Sequence, residues 1–135
     1  MTAAFDPAAD GWTLEADSGF VGFVGPFWRS ADGARYGFQS DARHANLIGV
    51  VQGGMIMTFA DRALGLAAWK AAGDRPCATV QFNAQFVSGV AIGAFVEIAP
   101  VVIRSTRSLI FMDGAVMVGD RPAATAQGVW KVVGA

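Results

Sequence analysis

The stretch HANLIGVVQGGMIMTFADRALGLAAW, residues 44–69, constrains this chain more than any other. From Gly53 to Lys70 it is rich in Met, Ala and Leu, and Gly73 in the following AAGD supplies a C-cap, so residues 53–70 read as one long helix. At about 100° per residue, Thr58, Asp61, Arg62 and Gly65 share roughly a third of the circumference, and everything else between Met55 and Trp69 is apolar. A helix that is apolar nearly all round has to be enclosed, and a sheet that wraps it would do so.

The rest of the chain supplies such a sheet. Upstream, GFVGFVGPFW (residues 19–28) and ARYGFQS (residues 34–40) read as a strand pair across the turn-like SADG. Downstream, Val80, Phe82, Ala84 and Phe86 alternate with the polar Thr79, Gln81, Asn83 and Gln85, the period of a half-buried strand. AFVEIAPVVIR (residues 94–104) follows, with Pro100 implying a bulge or an edge position. STRS and GDRP then turn the chain into LIFMDGAVMV and AATAQGVWKVV. Turns this short join antiparallel neighbours, because parallel strands would need crossovers. The expected fold class is α+β, one long central helix wrapped by a single antiparallel sheet of about five to six strands. Residues 1–18 read as an N-terminal tail or short helix and residues 19–135 as a single domain.

Composition narrows the function. The chain is 53% apolar and only 16% charged, a surplus of apolar surface that points to burial against copies of itself. No apolar run reaches the ~18 uninterrupted residues that mark a spanning helix. The start, MTAAFDPAADGW, is acidic and broken by Pro7 and Gly11, unlike a signal peptide, so a soluble cytoplasmic protein is expected. A net charge of −1 without a basic run argues against a nucleic-acid partner. One His and one Cys argue against a zinc site, and Cys77 reads as a small buried hydrophobe rather than a nucleophile.

Asp61 is the residue that needs explaining. It is either a surface charge facing a solvent slit or a carboxylate lining a cleft, where it works on a substrate. Gly53 and Gly54 open the helix, allow close backbone approach, and leave first-turn N–H groups free to hold a negatively charged oxygen. Asp61 follows Gly53 by eight positions, roughly 12 Å along a helix. An oxyanion donor and the base that activates water for the same carbon should lie within roughly 6–7 Å. If both act, they come from two chains.

The spaced residues His44, Asn46, Gly49, Gln52, Gly53, Gly54 and Asp61 resemble the motif of the hotdog-fold acyl-CoA thioesterases, specifically the phenylacetate-pathway (PaaI-like) branch. The likeness extends back to GFVGFVGPFW and forward through PCATVQFNAQFV and the three final strands. It implies a helix wrapped by an antiparallel sheet, paired into a dimer and often doubled into a tetramer. It also implies hydrolysis of acyl-CoA to free acid and CoA without metal or prosthetic group. Carried over by position, the Gly53 N–H would polarise the thioester carbonyl, with Gly54 beside it against the substrate. Asp61 of the partner chain would act as general base or as nucleophile. Asn46 would place the thioester or the water, and Thr79 matches a hydroxyl position near that water. Arg104 and Arg107 fall where the family has basic residues near the CoA phosphates.

The sequence departs from that pattern at Gln52, where the family usually has His. Gln can donate an N–H to a carbonyl but cannot shuttle a proton. The resemblance therefore leaves an alternative, a non-catalytic acyl-CoA-binding protein that serves as ligand sensor or assembly module. A hydratase acting on enoyl thioesters fits less well, since His44 is the only histidine and reads as a structural residue bonding backbone.

Overall fold

The structure, a computed structural model, describes residues 5–135. Eight strands form one sheet: β1 (Thr13–Glu15), β2 (Phe27–Arg29), β3 (Tyr36–Gln39), β4 (Cys77–Phe86), β5 (Phe95–Ile98), β6 (Val101–Ser105), β7 (Leu109–Val118) and β8 (Arg121–Val132). Among the described residues two α-helices accompany it, the short α1 (Phe20–Val24) and the long α2 (Gly53–Ala71), with one 3-10 turn at Ala42–His44. The strand order is β1-β2-β3-β5-β7-β8-β4, with β6 also paired to β7, and every pairing is antiparallel.

The α+β arrangement of one long helix on a single antiparallel sheet is as expected, but the sheet has eight strands rather than five to six. Two local causes account for the difference. Pro100 has no N–H to give the ladder, so the strand expected over residues 94–104 breaks into β5 and β6, while its register on β7 continues unchanged from Ile98↔Val116 to Val101↔Asp113. At the other edge, Thr13–Glu15 pairs with β2, and the preceding Trp12 is buried. The part of residues 1–18 that the structure describes thus holds a strand, not the expected tail or helix. Residues 19–28 also differ from expectation. Their first half coils into α1, and only Phe27–Arg29 joins β3 across the turn.

Helix α2 ends where the sequence says it should. Gly73 takes φ +72, and the Asp74 N–H donates to the Trp69 carbonyl at 2.8 Å. The helix buries Met55, Ile56, Phe59, Ala60, Ala63, Leu64 and Ala68 against the sheet, the three-and-four spacing of one helical face. Phe59 anchors that face with its ring edge-on to Phe27 and Phe38, the centroids 5.3 and 4.8 Å away. Close approach needs glycine on β7. A Cβ at Gly114 would meet Ile98 Cδ1 at 2.9 Å and Leu64 Cδ2 at 3.2 Å. The opposite side of α2, carrying Met57, Thr58, Asp61, Arg62 and Trp69, stays partly open. No helix among the described residues is long and apolar enough to cross a membrane.

Candidate active site

Helix α2 begins without a side-chain cap, because Gln52 occupies the N-cap position and makes no capping bond. The Gln52 carbonyl accepts from the Met55 and Ile56 N–H groups at 2.9 and 3.2 Å. The N–H groups of Gly53 and Gly54 find no acceptor among the described residues, as the first turn of a helix dictates. Gly53 lines a cavity of about 370 Å³ with Asn46, Val51, Ile56, Phe86 and Ser88. A side chain at residue 53 would crowd the Phe86 ring, whose Cζ lies 3.2 Å from the place a Cβ would take. Asn46 belongs to the same cavity, and its Oδ1 is committed to the Ile48 and Val50 N–H groups at 3.0 and 3.1 Å. It therefore shapes the loop that leads to Gly53.

Asp61 opens into a second cavity, of about 380 Å³, with Thr79, Gly65, Leu66, Trp69 and Trp130 on its walls. Asp61 Oδ1 accepts from Thr79 Oγ1 at 2.7 Å. The neighbouring Arg62 does not neutralise Asp61, because its guanidinium is paired with Asp17 on the segment before α1. That bond, with a second from the Gly19 N–H, holds the Asp17 carboxyl below the usual carboxylate range.

Thr79 reaches Asp61 through an irregularity that the alternating letters conceal. Thr79 faces Trp130 of β8 and Gln81 faces Val129, so Val80 is left over as a bulge. Before the bulge, Cys77 and Thr79 point toward α2. After it, Phe82, Ala84 and Phe86 do so while Gln81, Asn83 and Gln85 point outward and are exposed. The expectation that Thr79 shares the polar face of Gln81 and Asn83 is thus corrected, and the bulge places it at the carboxylate.

The other candidates lie apart. Gln52 opens into a third cavity, of about 410 Å³, with Phe20, Val24, His44, Gly54 and Met55. Gly54 borders that cavity rather than the one at Gly53. Arg104 and Arg107 are exposed at the end of β6 and in the following turn. Ser105, Ile110, Trp130 and Thr79 form one row across β6, β7, β8 and β4, which sets the arginines about three strand spacings, roughly 14 Å, from Thr79. His44 is buried; its Nδ1 accepts from the Asp41 N–H at 3.0 Å and its Nε2–H donates to the Val24 carbonyl at 2.6 Å. Both ring nitrogens are occupied by backbone, as a structural histidine requires. Cys77 edges the Asp61 cavity, where burial pushes its thiol up, away from the reactive thiolate. Sequence reasoning missed the aromatic walls Trp69, Trp130 and Phe86. Strand alternation shows that Trp130 points inward but not which cavity it meets.

Residues 48–125, from the loop before Gly53 into the first part of β8, match the thioesterase superfamily family model. The chain belongs to the thioesterase superfamily. A Pseudomonas aeruginosa protein named "Putative esterase PA0474" is 28% identical over 123 residues, 88% of this chain and 92% of that protein. Among solved structures, a mutant of the phenylacetic acid degradation protein PaaI from Thermus thermophilus superposes with a TM-score of 0.70 at 18% identity. That match covers 94% of this chain and 97% of that one. A Bacillus halodurans protein, BH2602, in a crystal structure with CoA, superposes with a TM-score of 0.72 at 19% identity over 79% and 72% of the two chains. The thioesterase-superfamily chain described here therefore has the hotdog fold, and its two polar centres, at Gly53 and at Asp61, lie in separate cavities of one protomer.

Proposed function

We propose that this member of the thioesterase superfamily hydrolyses an acyl-CoA thioester to the free acid and CoA at a site shared by two protomers. The observation that carries the reading is the separation of the two centres along a strand with a free edge. Strand β4 is the last in the sheet, paired among the described residues only with β8, and it runs from Thr79 at the Asp61 cavity to Phe86 at the Gly53 cavity. Val80, Phe86 and Val87 are apolar and exposed along it. A free edge of this length, with exposed apolar residues on it, is a template for pairing with another strand.

Two copies of β4 pairing antiparallel about Asn83, with the bulged Val80 again left over, would set Thr79 of one opposite Phe86 of the other. Facing residues in such a pair lie about 4.5–5.5 Å apart. The Asp61 carboxylate of one protomer would then stand next to the Gly53 N–H of its partner, and a dimer would hold two such sites. Dimers of this kind could double into a tetramer through their outer faces.

In that site the Gly53 N–H donates to the thioester carbonyl oxygen and stabilises the charge that grows on it. Asp61 takes a proton from water as the water oxygen bonds to the carbonyl carbon. The tetrahedral intermediate collapses, the carbon–sulfur bond breaks, and the proton held by Asp61 passes to the departing CoA sulfur. Thr79 occupies Oδ1 of Asp61 and so leaves Oδ2 for the water. Asn46 holds the loop before Gly53, and Gln52, at the N-cap, can donate its amide to the substrate rather than carry a proton. Arg104 and Arg107 lie at a distance suited to the far, phosphorylated end of CoA. The CoA present with the Bacillus halodurans neighbour supports that ligand class.

The test is thiol release from a panel of short, long and aryl acyl-CoA substrates by wild type and Asp61→Asn. Turnover by wild type and a loss of roughly 10²–10⁴-fold in the variant are expected. The alternative, an acyl-CoA-binding protein without catalysis, rests on Gln52 at the N-cap, exposed and opening into neither catalytic cavity. Binding across the panel without any thiol release would establish it.

A further inference from the structure

The wall of the Asp61 cavity contains a donor that the hydrolytic chemistry does not use. Trp130 is 1% exposed and packs between β8 and α2, yet it lines this cavity. Its indole Nε1–H makes no hydrogen bond within the described residues, whereas the indole of Trp69 donates to the Cys77 carbonyl at 3.1 Å. The one side-chain polar atom that is both sealed off and unpartnered among the described residues is Gln39 Oε1. The Trp130 N–H is therefore unpaired without being sealed, and the opening it meets is the cavity. A buried donor left unpaired is costly, and a phenyl ring would pack here without that cost.

Gly65 keeps the N–H uncovered. A Cβ at residue 65 would sit 3.1 Å from Trp130 Nε1, closer than ordinary contact. Glycine inside a helix is unfavourable relative to alanine, so the gap above the indole is kept against helix propensity. Gly65 follows Asp61 by four residues, about one helical turn or roughly 6 Å. Thr79, bonded to Asp61, is the cross-strand partner of Trp130, so hydroxyl, carboxylate and indole converge on one space. Leu66 and Trp69 complete its apolar walls.

We propose that Trp130 Nε1–H is a specificity-determining donor, and that this cavity takes acyl groups bearing a hydrogen-bond-accepting oxygen a few bonds from the thioester carbonyl. The inference rests on the thioesterase reading above. A carbonyl carbon attacked by water held on Asp61 lies about 5–6 Å from the carboxylate. One further helical turn then puts the accepting oxygen roughly three to six bonds along the acyl chain. An all-carbon chain filling the same space would leave the indole unpaired, which is how a site built around a hydrogen bond rejects the analogue that lacks it.

The experiment uses acyl-CoA thioesters of equal length in which a single CH₂ is replaced by an ether oxygen at successive positions, since an ether accepts but cannot donate. Wild type is expected to favour one oxa position over the all-carbon chain by roughly tenfold in kcat/KM, the worth of one hydrogen bond. Gly65→Ala, which lays a methyl over the N–H, and Trp130→Phe, which removes it, should each bring that ratio to about one. If Trp130→Phe does not fold, Gly65→Ala decides. A second reading is independent of turnover: the indole ¹H–¹⁵N signal of Trp130, one of four tryptophans, should move on binding a non-hydrolysable oxa-acyl thioether of CoA and not on binding its all-carbon twin. Hydrolysis throughout the panel with no oxa preference overturns the role of Trp130 and leaves the thioesterase reading standing. If no thioester is hydrolysed, the thioesterase reading fails, and the indole signal alone upholds or overturns the Trp130 contact.

Discussion

Thr79 Oγ1 donates a hydrogen bond of 2.7 Å to Asp61 Oδ1, tying strand β4 to the middle of helix α2. The bond fixes which carboxylate oxygen is free to meet water, so its loss should act on the rate and not on substrate affinity. Thr79→Val keeps the side-chain shape and removes the donor. We expect kcat for acyl-CoA hydrolysis to fall about three- to tenfold with KM nearly unchanged, the size of one neutral hydrogen bond. Thr79→Ser should recover most of the loss. Steady-state kinetics on the three proteins check this, and an effect confined to KM would contradict the orienting role.

A site shared between protomers predicts complementation. Gly53 is the first residue of α2, where proline fits a helix, and Gln52 before it has φ −56 and ψ 133, the extended backbone that precedes proline readily. Gly53→Pro therefore removes the oxyanion donor with little harm to the helix, beyond some adjustment of the Phe86 ring. Alone, Gly53→Pro and Asp61→Asn should each lose about 10²-fold or more in kcat. Unfolded together in equal amounts and refolded, half of the dimers would pair one chain of each kind. Each mixed dimer would hold one intact site, restoring about a quarter of wild-type activity. Mixtures no more active than their components would place both groups in one chain.

The parts of this site that were legible in the sequence are those written in helical spacing. Gly53 and Asp61 stand eight positions apart, which determines a distance, and that distance calls for two chains if both groups act on one carbon. Thr79 was legible as a hydroxyl but not as a partner of Asp61, because Val80 continues the apolar alternation while sitting in a bulge that reverses the face. The run from Phe20 to Val24 is short and apolar, and such a run does not distinguish strand from helix. Pro100 marked an irregularity correctly, though not that one strand would count as two. Trp130 read only as an inward-facing strand residue, since its position beside Gly65 depends on how closely α2 lies on β8.

Gln52 gives a graded prediction. Its side chain caps nothing and opens into a cavity separate from those of Gly53 and Asp61. If its amide only helps to place the substrate, Gln52→Ala should lower kcat/KM about tenfold or less, far below the loss in Asp61→Asn. Gln52→His should show no new ionisation in the pH dependence of kcat. A fresh inflection near about pH 6–7 would show that this position can carry protons in the reaction.

Arg62 and Asp17 predict an acid-dependent stability. The Arg62 guanidinium and the Gly19 N–H hold the folded Asp17 carboxyl below its ordinary value, which the unfolded chain regains. A depressed carboxyl stabilises the fold above the unfolded value, and the contribution disappears as pH falls through the folded one. Asp17→Asn should therefore have a lower Tm than wild type near neutrality. The gap should narrow as pH falls below the ordinary carboxylate value of about 4 and close once pH is below the depressed folded one. Asp32 and Asp41 are depressed as well, by the Ser30 hydroxyl and by Arg43 respectively, but both proteins contain them and they cancel in the difference. Thermal melts of the two proteins across that range make the check. A gap that persists unchanged at low pH would mean that Asp17 stabilises the chain before α1 through hydrogen bonds that asparagine cannot copy, and not through its charge.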